Sequence, residues 1–327
     1  MLFSRAYVVP LLMCVALAGR AEWFNDSQNI MGTDVSVTLW HENAPEAESA
    51  IAAVMAEMKR IDTTLSPYKP TSELFQVNAA ATSAVITISA ELVALIDKSL
   101  YYSELSQGAF DISFASVGRY YDYRNGRQPD SERRENLLEA IDYRLIKLDR
   151  NQRTLAFAHP QLQIDLGGIA KGYAVDRAIA ILRKRGVRHA MASAGGDSRV
   201  LGDKRGRPWF IGIKNPRAKK EEVAVYLPLT DAAVSTSGDY ERFFIDRESG
   251  KRIHHILNPK TGRSASTVTS VTIIGANGFD TDPLSTTVFV LGVKKGIALL
   301  NRLKGFDGII IDRAGKVHYS DGLTPPQ

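Results

Sequence analysis

The segment Gln163-Ile164-Asp165-Leu166-Gly167-Gly168-Ile169-Ala170-Lys171-Gly172-Tyr173-Ala174 sets a carboxylate, two adjacent glycines and a lysine at the head of an apolar-periodic run. Glycines let a backbone approach a ligand closely, and a helix N-terminus offers free N–H groups and a positive dipole end to a phosphate. Lys171, six residues past Asp165, adds a point charge. Read alone, the segment is equally a strand-to-helix turn with Asp165 as its cap.

A second group is Asp280-Thr281-Asp282-Pro283-Leu284-Ser285-Thr286-Thr287. Proline suits the first helical position, which makes Asp282 the N-cap and puts Thr286 one turn along the same face. Carboxylate and hydroxyl oxygens together suit a hard cation such as Mg²⁺, which takes its remaining ligands from water and phosphate. The plainer reading is a well-capped helix. In the third group, Arg252-Ile253-His254-His255-Ile256-Leu257-Asn258-Pro259-Lys260-Thr261-Gly262, a strand ends in a turn with two histidines on opposite faces. Such a pair supplies a general base, or one packed ring and one solvated ring.

Other chemistries find no support. There is no G-x-G-x-x-G after a strand, no Walker-type G-K-[ST], no H-E-x-x-H and no G-x-S-x-G. Ser66-Pro67-Tyr68-Lys69 and Lys260-Thr261-Gly262 match two marks of penicillin-recognising serine enzymes. Pro67 and Pro70 make the first a turn rather than the helix that chemistry needs, and no S-D-N is present.

These groups need elements to hold them. Residues 34–40 alternate as a half-buried strand, and residues 47–61 and 90–105 carry apolar residues at helical spacing. Residues 163–166 read as a short strand entering a helix over 171–185, which Gly186 stops. Further strands are expected at 189–194, 209–213, 223–227, 242–246, 268–274 and 308–312. Hairpin turns are expected at 247–251 and 313–315, and a last helix pair at 283–291 and 294–303. Strands in hairpin succession with several helices indicate an α+β fold.

The N-terminus is basic at Arg5, apolar over residues 6–18, and followed by small residues, the layout of a secretory signal peptide with cleavage after Ala18 or Ala21. That leaves residues 22–327 as one domain, exported to the periplasm, with attachment to the inner membrane the alternative. Cys14, the one cysteine, lies in the leader, and the residues before it lack the small side chains of a lipidation site. The remaining chain has no thiol for disulfides, thiolate catalysis or thiolate-bound zinc. Of the net charge of +5, Arg5 and Arg20 belong to the leader. The rest makes no case for nucleic acid, and no Lys/Arg block with interleaved aromatics appears.

Taken together, the chain resembles the FAD:protein FMN transferase family, also called ApbE-like. The blocks occur in order: Met31-Gly32-Thr33, Leu65-Ser66-Pro67-Tyr68 with Ser72-Glu73-Leu74, Gly108-Ala109-Phe110-Asp111-Ile112-Ser113, the Asp165 segment and Ala194-Gly195-Gly196-Asp197. Ser235-Thr236-Ser237-Gly238-Asp239-Tyr240, the His255 segment and the Asp282 segment follow. The resemblance implies a T-fold-like core around an FAD cleft. It implies a Mg²⁺-dependent transfer of FMN from FAD to a threonine or serine of a membrane-bound respiratory subunit, releasing AMP. Similar proteins hold FAD at positions matching Met31, Tyr68, Ala109, Phe110, Asp111, Asp165, Lys171 and Ile256. They hold Mg²⁺ at positions matching the Gly168 carbonyl, Asp282 and Thr286, with Ser285 adjoining. Two helix N-termini would orient the phosphate oxygens. A threonine hydroxyl needs a base, and His255, with an unperturbed pKa near working pH, is preferred to Asp165. With water as acceptor the same site would be an FAD pyrophosphatase; without catalysis it would be a flavin carrier.

Overall fold

The computed structural model describes residues 22–218 and 222–323. The leader, its cleavage positions and Cys14 lie outside the described residues. β1 (Glu22–Ile30) and β2 (Thr33–His41) form an antiparallel hairpin closed by Met31 and Gly32, with Ile30 paired to Thr33. Both turn residues have positive φ, 56° and 67°, as a two-residue hairpin demands. Asn43 caps α1 (Ala44–Leu65), accepting the Glu46 N–H at 3.1 Å. Its buried stripe, Ile51, Val54, Met55, Met58 and Ile61, is the one marked by spacing.

Ser72 caps α2 (Glu73–Ala80), and after β3 (Ile86–Thr87) Ser89 caps α3 (Ala90–Leu105). Two short helices, α4 (Ala115–Gly118) and α5 (Ser131–Leu137), lead to β4 (Ile146–Asp149) and β5 (Thr154–Phe157). Strands β3, β5 and β4 make a small sheet. Residues 163–166 then differ from expectation: they join no sheet. Side chains replace the ladder. The Asn78 amide donates to the Ile164 carbonyl at 2.9 Å and accepts its N–H at 2.8 Å. Ser116 Oγ accepts the Gln163 N–H at 3.1 Å. The buried backbone is satisfied without a strand.

α6 (Ala170–Lys184) follows, with Gly186 at φ 80° just beyond it. Next come β6 (Ala190–Ala194), β7 (Asp197–Leu201), β8 (Trp209–Lys214), β9 (Val223–Leu229) and β10 (Ala233–Gly238). β11 (Phe243–Ile245) and β12 (Arg252–His254) form a hairpin across the expected 247–251 turn, and β13 (Leu257–Asn258) pairs with β14 (Arg263–Ser264). β15 (Val268–Gly275), α7 (Gly278–Leu300), β16 (Asp307–Asp312) and β17 (Val317–Tyr319) complete the order.

The main sheet runs β1-β2-β6-β7-β10-β15-β16-β17, with every neighbouring pair antiparallel. It consists of two four-stranded halves meeting at β7 and β10 through the pairs Ala233–Arg199, Val234–Ser198 and Ser235–Asp197. α6 and α7 cross one face, and α1 packs on α6. The β8–β9 hairpin covers part of the other face, burying Ile213 and Leu227 with Val234 and Ile309. The architecture is α+β, built as one domain. α7 is long and apolar enough to cross a membrane, yet Leu284, Val288, Phe289 and Leu299 are buried in the core. Gly292, at φ 75° and ψ −177°, divides it into the two expected runs.

Candidate active site

The starts of α6 and α7 cross at glycines. A Cβ on Gly172 would lie 2.0 Å from the Gly278 carbonyl oxygen, so backbone touches backbone there. The Gly172 N–H donates to Asp282 Oδ2 at 2.9 Å. Asp282 is not the N-cap. Asn277 caps α7, accepting the Asp280 N–H at 2.9 Å, and Asp176 accepts the N–H groups of Gly278 and Phe279 at 2.8 and 2.9 Å. An asparagine five residues upstream starts the helix first, and Pro283 then lies inside it, sparing only one helical hydrogen bond. These first-turn amides of α7 are taken. At α6 the Ala170 N–H donates to the Leu166 carbonyl at 2.8 Å and the Gly172 N–H to Asp282. The expectation that helix N-termini face the phosphates therefore rests at α6 on its positive dipole end.

Lys171 bridges two acids, with Nζ 2.7 Å from Asp197 Oδ2 and 3.6 Å from Asp282 Oδ1. Both carboxylates are almost fully buried, at 1% and 2% exposure. Burial and the Asp197 charge push the Asp282 pKa well above the usual carboxylate range, against the pull of Lys171. Burial opposes the Lys171 ammonium, but Asp197 and Asp282 outweigh it and hold its pKa above the usual lysine value. Two buried acids facing one lysine leave a deficit of positive charge.

Hydroxyls stand beside this triad. Ser237 Oγ lies 2.8 Å from Ser285 Oγ and 3.2 Å from Thr286 Oγ1. Gly168 faces them, since a Cβ there would lie 3.4 Å from Thr286 Oγ1 and 3.2 Å from the Phe110 ring. Asp282 and Thr286 offer carboxylate and hydroxyl oxygen, which fit Mg²⁺ better than a softer ion. Among the described residues no group of three His, Cys, Asp or Glu forms a metal cluster.

Asp165 accepts the Gly167 N–H at 2.6 Å and closes a tight turn ahead of α6. Burial raises its pKa, and the Gly167 N–H, Arg242 and Lys171 restrain the rise. Tyr68, 74% exposed, stands on the rim. Phe110 is buried against Gly168, and Asp111 next to it is buried as well. Its carboxylate accepts from Ser113 N, Ser113 Oγ and Tyr143 N at 2.8, 2.6 and 2.8 Å, while burial holds its pKa at about 6. These hydrogen bonds hold the loop that carries the buried Ala109 and Phe110. A concavity of about 520 Å³ beside Leu100, Tyr143 and Ile146 belongs to the small sheet and holds none of the expected site residues.

The two histidines separate in role. His254 is packed edge-on to Phe289, and its Nε2 lies 2.7 Å from the Ala265 carbonyl oxygen. His255 is half-buried with Nδ1 lacking a partner in the protein. Burial, reinforced by Arg242, pushes its pKa down to about 3, so the argument from an ordinary histidine pKa fails. Ile256 beside it is buried. The His255 N–H donates to the Arg242 carbonyl at 3.1 Å, and the Arg242 guanidinium lies 3.4 Å from the carbonyl oxygens of Met31 and Gly32. Met31 is thereby joined to the His255 side of the groove.

Sequence reasoning gave no role to Asp197, Ser237 or Arg242. Asp197 and Ser237 lie within blocks noted for resemblance, and only the seam between β7 and β10 brings them to Lys171 and Thr286.

A family model described as the ApbE family matches residues 31–310. The FAD:protein FMN transferase of Treponema pallidum is 30% identical, over 97% of this chain and 94% of its own. That of Klebsiella pneumoniae is 29% identical, over 89% of each. The ApbE protein of Thermotoga maritima matches with TM-score 0.84 at 33% identity, covering 92% of this chain and 98% of that one. The flavin transferase ApbE of Vibrio cholerae matches with TM-score 0.80 at 25% identity and the same coverage.

Proposed function

The chain belongs to the ApbE family, and from that premise we propose that it is an exported, Mg²⁺-dependent FAD:protein FMN transferase. It splits the FAD pyrophosphate and attaches FMN to a threonine or serine of a membrane-bound respiratory subunit. The observation that carries this reading is the convergence of Lys171, Asp282 and Thr286 with Gly168 at the start of α6. A pyrophosphate needs its dense negative charge neutralised before a hydroxyl can attack phosphorus, and that convergence supplies the means.

Asp282, Thr286 and the Gly168 carbonyl would hold Mg²⁺; the chemistry such an ion supplies when bound is neutralisation of pyrophosphate oxygens. Lys171 pairs with a phosphate oxygen from its place between Asp197 and Asp282. The Asp165–Gly167 turn and the α6 N-terminus fix the diphosphate against the helix. His255 takes the proton of the acceptor hydroxyl; its Nδ1 is buried without a protein partner, so the ring must turn for that nitrogen to reach it. The new bond joins that oxygen to the FMN phosphorus, the bond to the bridging oxygen breaks, and AMP departs. Arg242 and Lys171 help hold the free imidazole low, and an arriving pyrophosphate offsets both charges, making the ring a better base.

Incubation with FAD, Mg²⁺ and an acceptor domain, followed by mass spectrometry and AMP assay, tests the reading. We expect an FMN adduct on the acceptor with matching AMP. Asp282→Ala should abolish AMP release while FAD binding largely survives. Free FMN formed equally fast with and without acceptor would make the protein a pyrophosphatase, and no AMP from the unaltered protein would leave a flavin carrier.

A further inference from the structure

The end of the molecule remote from Lys171 gathers residues that the reaction does not use. All three tryptophans are there, Trp23 and Trp40 half-buried and Trp209 buried at 3% exposure beneath the loop. Trp23 and Trp40 are cross-strand partners on β1 and β2, and Trp209 meets Trp23 edge-on at 5.4 Å. The loop between β7 and β8 bends over them, tightened by the Lys204 N–H donating to the Arg207 carbonyl at 2.7 Å. Lys204 Nζ lies 5.8 and 5.3 Å from the Trp23 and Trp209 ring centres, and the Arg205 guanidinium lies 3.9 Å from that of Trp40.

More positive charge adjoins the loop. Arg183, Lys184 and Arg185 are exposed at the C-terminus of α6, with Arg188 just beyond. The same end is shared because the Trp40 N–H donates to the His189 carbonyl at 2.9 Å. Of the acids at this end, Asp203 pairs with His189 at 2.9 Å and Asp231 accepts the Gly202 N–H at 2.8 Å, while Glu22 and Glu42 are exposed. Phe210, next to Trp209, is 61% exposed on the outer side of β8.

We propose that this end is a docking face for an anionic phospholipid bilayer. Tryptophan rings sit at the level of lipid headgroups, and arginine and lysine beside them pair with lipid phosphates while their stems cover apolar surface. Clustered cations near a negatively charged leaflet add attraction residue by residue. Trp23 lies at the start of β1, one residue after Glu22. The Met31–Gly32 turn beside Arg242 lies at the other end of the same strand, so a docked protein turns its groove away from the lipid.

Because every tryptophan lies in this face, intrinsic fluorescence reports on it alone. The protein, purified in the form cells hold it, is mixed with phosphatidylglycerol vesicles carrying brominated acyl chains, with brominated phosphatidylcholine as the neutral control. We expect quenching with the anionic lipid only, fading as salt screens the charges. Arg205→Glu/Arg207→Glu, checked for an unchanged melting temperature, should weaken binding by at least about tenfold. Phe210→Ser should keep the salt dependence but quench less, and it carries the test if the charge variant does not fold. Absence of quenching overturns the proposal. So does equal quenching in all variants, which would assign membrane contact to residues 1–21.

Discussion

His255 is held neutral by its surroundings rather than by the pH of its compartment. Its folded pKa of about 3 lies below the usual histidine value, so the unfolded chain binds more protons across the interval between them. Stability therefore falls as pH drops from about 6.5 toward 3. His255→Asn should flatten that slope in chemical denaturation at pH 6.5 and pH 4. In an NMR titration the His255 ring should show no transition above pH 5, and a midpoint near 6.5 would refute the account. Lys171, Asp282 and Thr286 were legible because residue type and helical spacing already carry their chemistry. Asp197, Ser237 and Arg242 were not, because each reaches the groove through pairings between strands far apart in sequence. Nor could spacing show that Asp111 accepts three hydrogen bonds that tie down its own loop.

Among the elements, the crossing of α6 and α7 matters most to the groove. Gly172→Ala would drive a methyl into the Gly278 carbonyl and the Asp282 side chain, at 2.0 and 2.6 Å, and neither can rotate away. We expect a loss of about 1–3 kcal/mol or more in stability, with FAD affinity falling as the starts of α6 and α7 are forced apart. Calorimetry and flavin-fluorescence titration check both; an unchanged melting temperature would show that the helices can separate freely. Helical periodicity located α1, α3 and α6 to within a few residues. It failed at 163–166, where alternation looked like a strand but Asn78 and Ser116 satisfy the backbone. It also failed at Pro283, where a good N1 signal lost to the stronger cap at Asn277. β1 went unseen because Asn25, Asp26, Ser27 and Asn29 are poor strand formers, and pairing with β2 overrides them.

For the whole molecule, the groove depends on parts that share no local sequence. Arg242 and His255 flank the base of the β11–β12 hairpin, whose far side is fastened by Gln128 donating to Asp246 at 2.8 Å and by Tyr123 against Phe244 at 6.3 Å. Phe244→Ala should loosen that fastening, lowering kcat several-fold while the melting temperature barely moves. Steady-state kinetics beside a thermal melt decide it, and an unchanged kcat would show that the hairpin holds itself. The hairpin of β1 and β2 has a different consequence. Nine residues of extended strand measure about 30 Å, so the Met31–Gly32 turn beside Arg242 stands that far from the Trp23 end. If that end docks on a bilayer as proposed, the strand acts as a rigid mast, and its length sets how far an acceptor must project to meet the groove.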